Sequence, residues 1–306
     1  MQTPKTFLVV PSVKLPRFGD KLLSLFAQQD PMQHPEAVII DLEDSVPPEK
    51  KNEGRRLVSE FLQSSLFGQI ASRGIWLVKT NDMQTPYISE DLVMLRAMTE
   101  HYPNIGLALP KINEISEMEE ALKRSNTLPK YSLPTLETVQ GFANRDILFK
   151  NWATLGIRFF AFGAGDMSYD LDVERDYSIA ILNFVLISIL VSAKINQIDF
   201  VDSPSRLIPS KEPHVAEQVE KECRYVFQNG GRGKIAIHPS QLPIINRAFC
   251  QSDVEHAQVL VDLFDSNTES RAHVDPYTHQ YVGTPSYKQA QQILTNSQNS
   301  VWEFQI

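Results

Sequence analysis

Cysteine is nearly absent from this sequence: Cys223 and Cys250 are the two thiols in 306 residues. They show neither the CxxC spacing of a metal site nor the density of a disulfide scaffold, and a reducing cytoplasm is the expected compartment. A basic excess is lacking too. Lys and Arg number 29 against 37 Asp and Glu, a net charge of -8. A nucleic-acid partner needs a clustered basic surface, so none is expected. A small anionic substrate stays open, because a site can be cationic locally. The seven histidines show no HxH or HExxH spacing, which argues against zinc. There is no GxGxxG after a strand, no GxxxxGK[ST] and no GxSxG, so dinucleotide, P-loop and nucleophile-elbow readings have no support.

Long hydrophobic runs are scarce as well. The opening MQTPKTFLVVPSVKLP carries an apolar run too short for a signal-peptide core, and no export signal is expected. One stretch, YSIAILNFVLISILVSAKIN (177–196), is strongly apolar, but Asn183 and Ser188 interrupt it and it falls short of a comfortable span. No membrane association is expected. The stretch reads as a helix buried on most sides, within the fold or at a subunit interface.

What is present is an alternation of element types. Hydrophobic residues make up 42% and charged residues 22%, an ordinary globular composition. Short apolar runs recur: TFLVVPS (6–12), AVIIDLE (37–43), GIWLVKTN (74–81), IGLALPKI (105–112), YSLPTLET (131–138), RFFAFGAG (158–165), IDFVDSP (198–204) and KIAIHPS (234–240). Most lack alternation, as parallel strands covered on both faces do. The fifth, with Pro134 inside it, is the weakest by pattern. Helical periodicity lies between the runs. Ser89 before Glu90 and Asp91, and Ser116 before its own acids, look like helix starts. Eight runs with intervening helices predict a (β/α)8 barrel over residues 1–250. Residues 251–306 predict a C-terminal helical extension or lid, with a polar, turn-rich stretch between two helices.

In such barrels the active site lies at the C-terminal ends of the strands. Here the runs finish in Ser12, in Asp41, Glu43 and Asp44, in Lys79 and Asn81, and in Lys111, Glu137, Asp166, Asp202 and His238. Any one of these serves equally well as a solvated loop residue or a cap; together they predict carboxylates and two lysines on one barrel mouth. Glu137 and Asp166 end adjacent runs, and Gly163 and Gly165 near Asp166 allow close approach. Two carboxylates completed by water and substrate oxygens are how proteins usually hold Mg²⁺. An N-cap is the plainer role for Asp166. Lys79 and Lys111 suit an inward stem with a wet head, pairing with the acids, or binding of an anionic substrate; a Schiff base needs a lowered pKa that several acids oppose.

The chain resembles the HpcH/HpaI aldolase and citrate lyase beta-subunit-like group of carbon–carbon lyases. The resemblance rests on LVVPS (8–12), VIIDLEDSVPPEKKNEGRRLV (38–58), LPKINE (109–114), LETVQG (136–141), FGAGDM (162–167), residues 222–249 and PSYKQAQQIL (285–294), in family order. It implies a barrel of the phosphoenolpyruvate/pyruvate-binding type, Mg²⁺ dependence, and homotrimers or hexamers. It also implies cleavage or formation of carbon–carbon bonds in 3-hydroxy acids or acyl thioesters such as citryl-, malyl- or citramalyl-CoA. Matched residue by residue, it makes Glu137 and Asp166 the metal ligands. Glu43 and Asp44 become the acids that hold metal-bound waters, with catalytic roles alongside Lys79. Lys79, Lys111, Thr138 and Gly165 become the substrate contacts.

The match has departures. Lys79 stands where the family commonly has Arg, keeping the charge but losing the bidentate fork. Gln140 stands where Arg is common, and Gly165 where an acid is common. Gly283 and Thr284 replace a lid acid that the family supplies to a neighbouring subunit's site. These leave room for a thioester hydrolase, for another enolate-type enzyme on the same barrel, or for a catalytically weakened binding protein.

Overall fold

The computed structural model describes residues 3–209, 212–250, 252–266, 270 and 272–298. Eight parallel strands close into a barrel in chain order. They are β1 (Thr6–Pro11), β2 (Ala37–Asp41), β3 (Ile75–Lys79), β4 (Ile105–Leu109), β5 (Ser132–Leu136), β6 (Phe159–Phe162), β7 (Asp199–Asp202) and β8 (Gly233–Ala236). Seven fall within the predicted apolar runs, and β8 begins one residue before its run, at Gly233. β2, β4, β5 and β6 are buried at every position, because barrel interior and helix layer cover the two faces. Register carries the strand ends into one tier: Pro11 pairs with Asp41, and Asp41 with Lys79.

Pro134 does sit inside a strand. Its cost is visible in the ladder, since β5 pairs with β6 only from Thr135 onward, past the residue that has no N–H to give. β4 passes so close to the chain entering β5 that a Cβ on Gly106 would lie 1.9 Å from the Tyr131 carbonyl oxygen, so only glycine fits there.

The helix starts differ from those the serines suggested. The helix Ile88–Thr99 begins one residue before Ser89 with no side-chain cap; Glu90 and Asp91 in its first turn pair instead with Arg55. The helix Ile115–Ser125 is capped by Glu114, in a reciprocal capping box with Glu117, and Ser116 lies inside its first turn. The apolar stretch at 177–196 forms a helix, Ala180–Ile195, but it is not buried on most sides of this chain. Leu182, Val185, Leu186, Ile189 and Ala193 face the barrel, while Phe184 is 63% and Ile195 75% exposed. Among the described residues no helix is long and apolar enough to cross a membrane.

Compact grouping divides the chain after Asn246. The second unit holds the helices Ser252–Ser266 and Thr284–Gln298, and its core is built from Ala257, Leu260, Phe264, Val282 and Ala290. The turn-rich stretch contains an antiparallel pair, His273–Val274 with Tyr281–Val282. Asp275 fixes its turn by accepting from the amides of Tyr277 and Thr278, and its second oxygen meets His256 Nε2 at 2.7 Å. Those bonds outweigh burial and hold the Asp275 carboxyl down at about 2.

Candidate functional site

The acids after β2 are delivered by a rigid turn. Asp41 does not reach outward; its carboxylate accepts the backbone amides of Glu43 (2.8 Å) and Ser45 (3.3 Å), closing the loop on itself. Lys51, the first residue of the helix Lys51–Leu62, donates to the carbonyl oxygens of Leu42 and Glu43, each at 2.7 Å. The loop is thereby clamped from both sides, and the buried side chain of Glu43 is aimed along the tier of strand ends.

Two lysines meet Glu43. Lys79 Nζ, at the end of β3, lies 2.5 Å from one carboxylate oxygen, and Lys111 Nζ, after β4, lies 3.0 Å from the other. Both oxygens are buried, and neither accepts a hydrogen bond of ordinary geometry beyond these ion pairs. Burial alone would raise the Glu43 carboxyl, but Lys79 and Lys111 outweigh it and hold it below the usual carboxylate range. Burial likewise opposes the charge on Lys79, yet Glu137, Glu43 and Asp41 drive its pKa well up, so it is a fixed ammonium and not an amine nucleophile. Lys111 is raised in the same way by Glu43 and Asp44. Asp44 lies 3.8 Å from Lys111 and is mostly exposed; burial of part of its carboxyl and the charge of Glu43 raise it.

Glu137 comes from the end of β5 and is buried. Lys111 has a left-handed backbone, φ 53°, which turns its amide onto Glu137 Oε1 at 2.9 Å while its side chain reaches Glu43. For a non-glycine residue that conformation is strained and persists because its surroundings over-determine it. Asn113 donates to the Lys111 carbonyl at 3.1 Å and accepts from the Thr138 hydroxyl at 2.5 Å. Thr138 also caps the helix Val139–Ala143 by accepting the Gly141 amide. Its hydroxyl is therefore committed to holding the rim.

Asp166 lies in the first turn of the helix Ala164–Asp170, whose N-cap is Gly163, so it is not itself the cap. Three bonds lock this turn, two against the Glu137 segment and one against the chain leaving β7. The Gly163 amide donates to the Leu136 carbonyl, the Ala164 amide to Ser203 Oγ at 2.6 Å, and Asp170 accepts the Val139 amide at 2.9 Å. A Cβ on Gly163 would lie 2.1 Å from Glu137 Oε2, so this glycine makes room for the carboxylate. At Gly165 a Cβ would meet nothing, and the space stays open.

Glu137 is the most strained charge of the set. Desolvation and the neighbouring charges of Glu43 and Asp166 push its pKa up to about 8, against the pull of Lys79. With Asp91 set against its own partner Arg55, five carboxylates (Asp41, Glu43, Asp44, Glu137, Asp166) face three ammonium groups (Lys51, Lys79, Lys111), a surplus of two negative charges once Glu137 is ionised. A divalent cation fits that surplus. Among the described residues no three His, Cys, Asp or Glu side chains form a protein cage. Mg²⁺ needs none, since one or two carboxylates and exchangeable oxygens suffice.

Four other strand-end residues stand apart. Asp202 is buried against Lys234 Nζ (2.5 Å) and the Tyr177 hydroxyl (2.5 Å). Asn81 is bound through its amide and side chain to Asp91. His238 caps the turn at Pro239–Gln241 and bonds Ser240. Ser12 is buried beneath Gly54. Lys51 and Arg55 are read from the sequence as starting the helix that packs the second strand, whereas Asn113, Asp170 and Ser203 are not singled out there.

A closed parallel barrel with an acidic, lysine-bridged rim at the strand ends defines the class of protein. The chain belongs to the HpcH/HpaI aldolase/citrate lyase family, whose model matches residues 24–239. It is 26% identical over 281 residues to citrate lyase subunit beta of Haemophilus influenzae, covering 88% of this chain and 91% of that one. It is also 26% identical over 220 residues to a (3S)-malyl-CoA thioesterase of Cereibacter sphaeroides, covering 72% and 71%. Its fold matches that of CitE from Mycobacterium tuberculosis, a structure in complex with magnesium, acetoacetate and coenzyme A, with a TM-score of 0.71, 20% identity, and 97% and 98% of the chains covered.

Proposed function

We propose that this protein is a Mg²⁺-dependent carbon–carbon lyase that cleaves or forms a 3-hydroxy acid or its acyl-CoA thioester, of the citryl, malyl or citramalyl type. The observation that carries the reading is the rim of strand ends, where carboxylates outnumber ammonium groups and the buried Glu137 is set among Glu43, Asp166 and Lys79. Glu137 and Asp166 are its proposed ligands, and Glu43 and Asp44 the acids around its waters. When bound, Mg²⁺ supplies a Lewis acid for the substrate's oxygens.

The chain's own residues do the rest. Cleavage next to a 3-hydroxyl requires a base for the hydroxyl proton and positive charge where the released electron pair arrives. Asp44, a carboxyl raised by burial and by Glu43 and open to solvent, is assigned the proton. Lys79, pinned by Glu43, supplies the fixed charge and, with Lys111, the counter-ion for a substrate carboxylate. A lysine makes a point contact and not a two-pronged one, which suits a smaller or differently oriented carboxylate than an arginine would clasp. The open space at Gly165 takes substrate, and Thr138 keeps the Glu137 rim in place.

Thioester hydrolysis is the second reading, favoured by the similarity to a malyl-CoA thioesterase. Product analysis separates the two. Incubation with malyl-, citramalyl- and citryl-CoA plus Mg²⁺ yields an oxo compound and an intact smaller thioester for a lyase, but free thiol for a hydrolase. Loss of Mg²⁺ binding and turnover in both Glu137→Ala and Asp166→Ala is the expected result. Turnover unchanged in both removes the metal site from the proposal, and no calorimetric response to Mg²⁺ or oxo acids assigns the barrel a non-catalytic role.

A further inference from the structure

The turn that leaves β4 holds one residue in a conformation its type disfavours. Lys111 has φ 53°, and a residue with a Cβ stays in that left-handed region only under restraint. The twist has a use. It turns the Lys111 amide onto Glu137 Oε1 at 2.9 Å while the side chain brings its ammonium to Glu43 Oε1 at 3.0 Å. The next residue ties the turn to β5: Ile112 is fully buried, and its amide donates to the Thr135 carbonyl at 3.3 Å. The helix Val139–Ala143 packs closely on the same turn, since a Cβ on Gly141 would lie 2.5 Å from the Ile112 carbonyl oxygen. The Lys111 carbonyl itself is held by a side chain, that of Asn113.

We infer that Asn113 is a positioning residue of the rim: its carboxamide locks Lys111 in the left-handed turn that aims the Lys111 amide at Glu137 and the Lys111 ammonium at Glu43. What this does for metal binding rests on the reading of Glu137 as a Mg²⁺ ligand. Both ends of the carboxamide are used. Nδ2 donates to the Lys111 carbonyl at 3.1 Å, and Oδ1 accepts from the Thr138 hydroxyl at 2.5 Å. Chemistry allows no other orientation. The Lys111 carbonyl can only accept, and the Thr138 hydroxyl already accepts the Gly141 amide, so its proton is the one it has to give. The Asn113 backbone is tied as well: its amide donates to Glu117 Oε2 at 2.7 Å, and its carbonyl accepts from Asn144 Nδ2 at 2.8 Å. Asn113 thus joins the strand end that carries Lys111 to the one that carries Glu137 and Thr138. It acts through Lys111 and not on substrate. Without it Lys111 relaxes to an ordinary backbone, its amide leaves Glu137, and the carboxylate and the ammonium lose their fixed places together.

The test uses the full chain in two backgrounds, wild type and Lys111→Gly. Glycine takes a left-handed φ without strain, so Lys111→Gly keeps the turn and its amide without help from Asn113. Hydrogen exchange in metal-free protein is the first measurement. Asn113→Ala is expected to speed exchange of the Lys111 amide on the order of tenfold, with the circular dichroism spectrum unchanged. Asn113→Asp, which can still accept from Thr138 but has nothing to donate to Lys111, is expected to do the same. Calorimetric titration with Mg²⁺ is the second measurement. Asn113→Ala is expected to weaken binding about tenfold in the wild-type background and less than about threefold in Lys111→Gly. A residue that served folding alone would cost the same in both. Unchanged exchange at Lys111 in either variant, or equal effects on Mg²⁺ in the two backgrounds, overturns the proposal. A wild type that binds no Mg²⁺ removes the metal reading and leaves the clamp to the exchange measurement, where a faster Lys111 amide upholds it and an unchanged one overturns it.

Discussion

Two ionic clusters lie in the same barrel and behave in opposite ways. Asp202 at the end of β7 and Lys234 in β8 are a matched pair, both buried, with the Tyr177 hydroxyl on the second carboxylate oxygen. No buried charge is left over: the part-exposed Glu222 lies farther off, 3.7 Å from the same ammonium, and although burial opposes the charge on Lys234, Asp202 raises its pKa and keeps it charged. The rim around Glu43 and Glu137 is equally well ordered but unbalanced, with a buried carboxylate raised to about 8. The first arrangement is what a fold needs to bury charge at all. The second keeps a debt of positive charge that only a ligand can settle. Position at a strand end does not distinguish the two; charge balance does.

The largest expected effect breaks the rim alone. Glu137→Gln keeps the acceptor for the Lys111 amide but removes the charge, and turnover should fall on the order of 10³-fold. Stability should move the other way. A carboxyl whose folded pKa is raised contributes fully below its unfolded value of about 4.5, and that contribution is lost as pH rises through about 8. Metal-free Glu137→Gln should therefore match wild type near pH 4 and exceed it at pH 8, by on the order of 2 kcal/mol in urea unfolding. A variant less stable than wild type at pH 8 would erase the contrast between the clusters.

Lys234→Met is the mirror experiment. It strands Asp202 in the core, and unfolding free energy should drop by about 3–5 kcal/mol. The kcat of the folded fraction should stay near wild type. A large loss of kcat with stability intact would place this pair in the reaction.

Mg²⁺ affinity sharpens the same distinction more gently. Metal must displace the proton on Glu137, so binding below pH 8 should release about one proton and strengthen up to about tenfold per pH unit, levelling above pH 8. Calorimetry in buffers of different ionisation enthalpy reads the proton count. A flat pH profile between 6 and 8 would show that Glu137 is not a ligand.

The strands were legible because a parallel strand covered on both faces reads as an unbroken apolar run, even across Pro134. The rim acids were legible because register places strand ends together. Ser203, Asp170 and Asn113 were not, since their bonds to Ala164, Val139 and Thr138 join different strand-end loops, and no local pattern records such pairings. Ser89 and Ser116 misled because a serine within one turn of a helix start looks like a cap, and whether it becomes one depends on competing acids such as Glu114. The phase of the helix Ala180–Ile195 was hidden for another reason. Apolar on every side, it offers no polar face from which to read which way it packs.

The smallest effect tests whether the rim is held in place as well as charged. Among the described residues Lys51 forms no ion pair; it grips the carbonyls of Leu42 and Glu43 and thereby fixes the residue that pins Lys79 and Lys111. Lys51→Met keeps the apolar stem and removes both bonds, each charge-assisted. The carbonyls lie near the rim and water can replace part of what is lost, so stability should fall by about 1–3 kcal/mol. With Glu43 freed to wander, the two ammonium groups lose their fixed spacing, and kcat/KM should fall about tenfold. A residue that served only to stabilise the helix would lower the melting temperature and leave kcat/KM of the folded enzyme unchanged. Equal stability loss in Arg56→Met, an exposed neighbour paired with Glu60, would remove Lys51 from any special role in the rim.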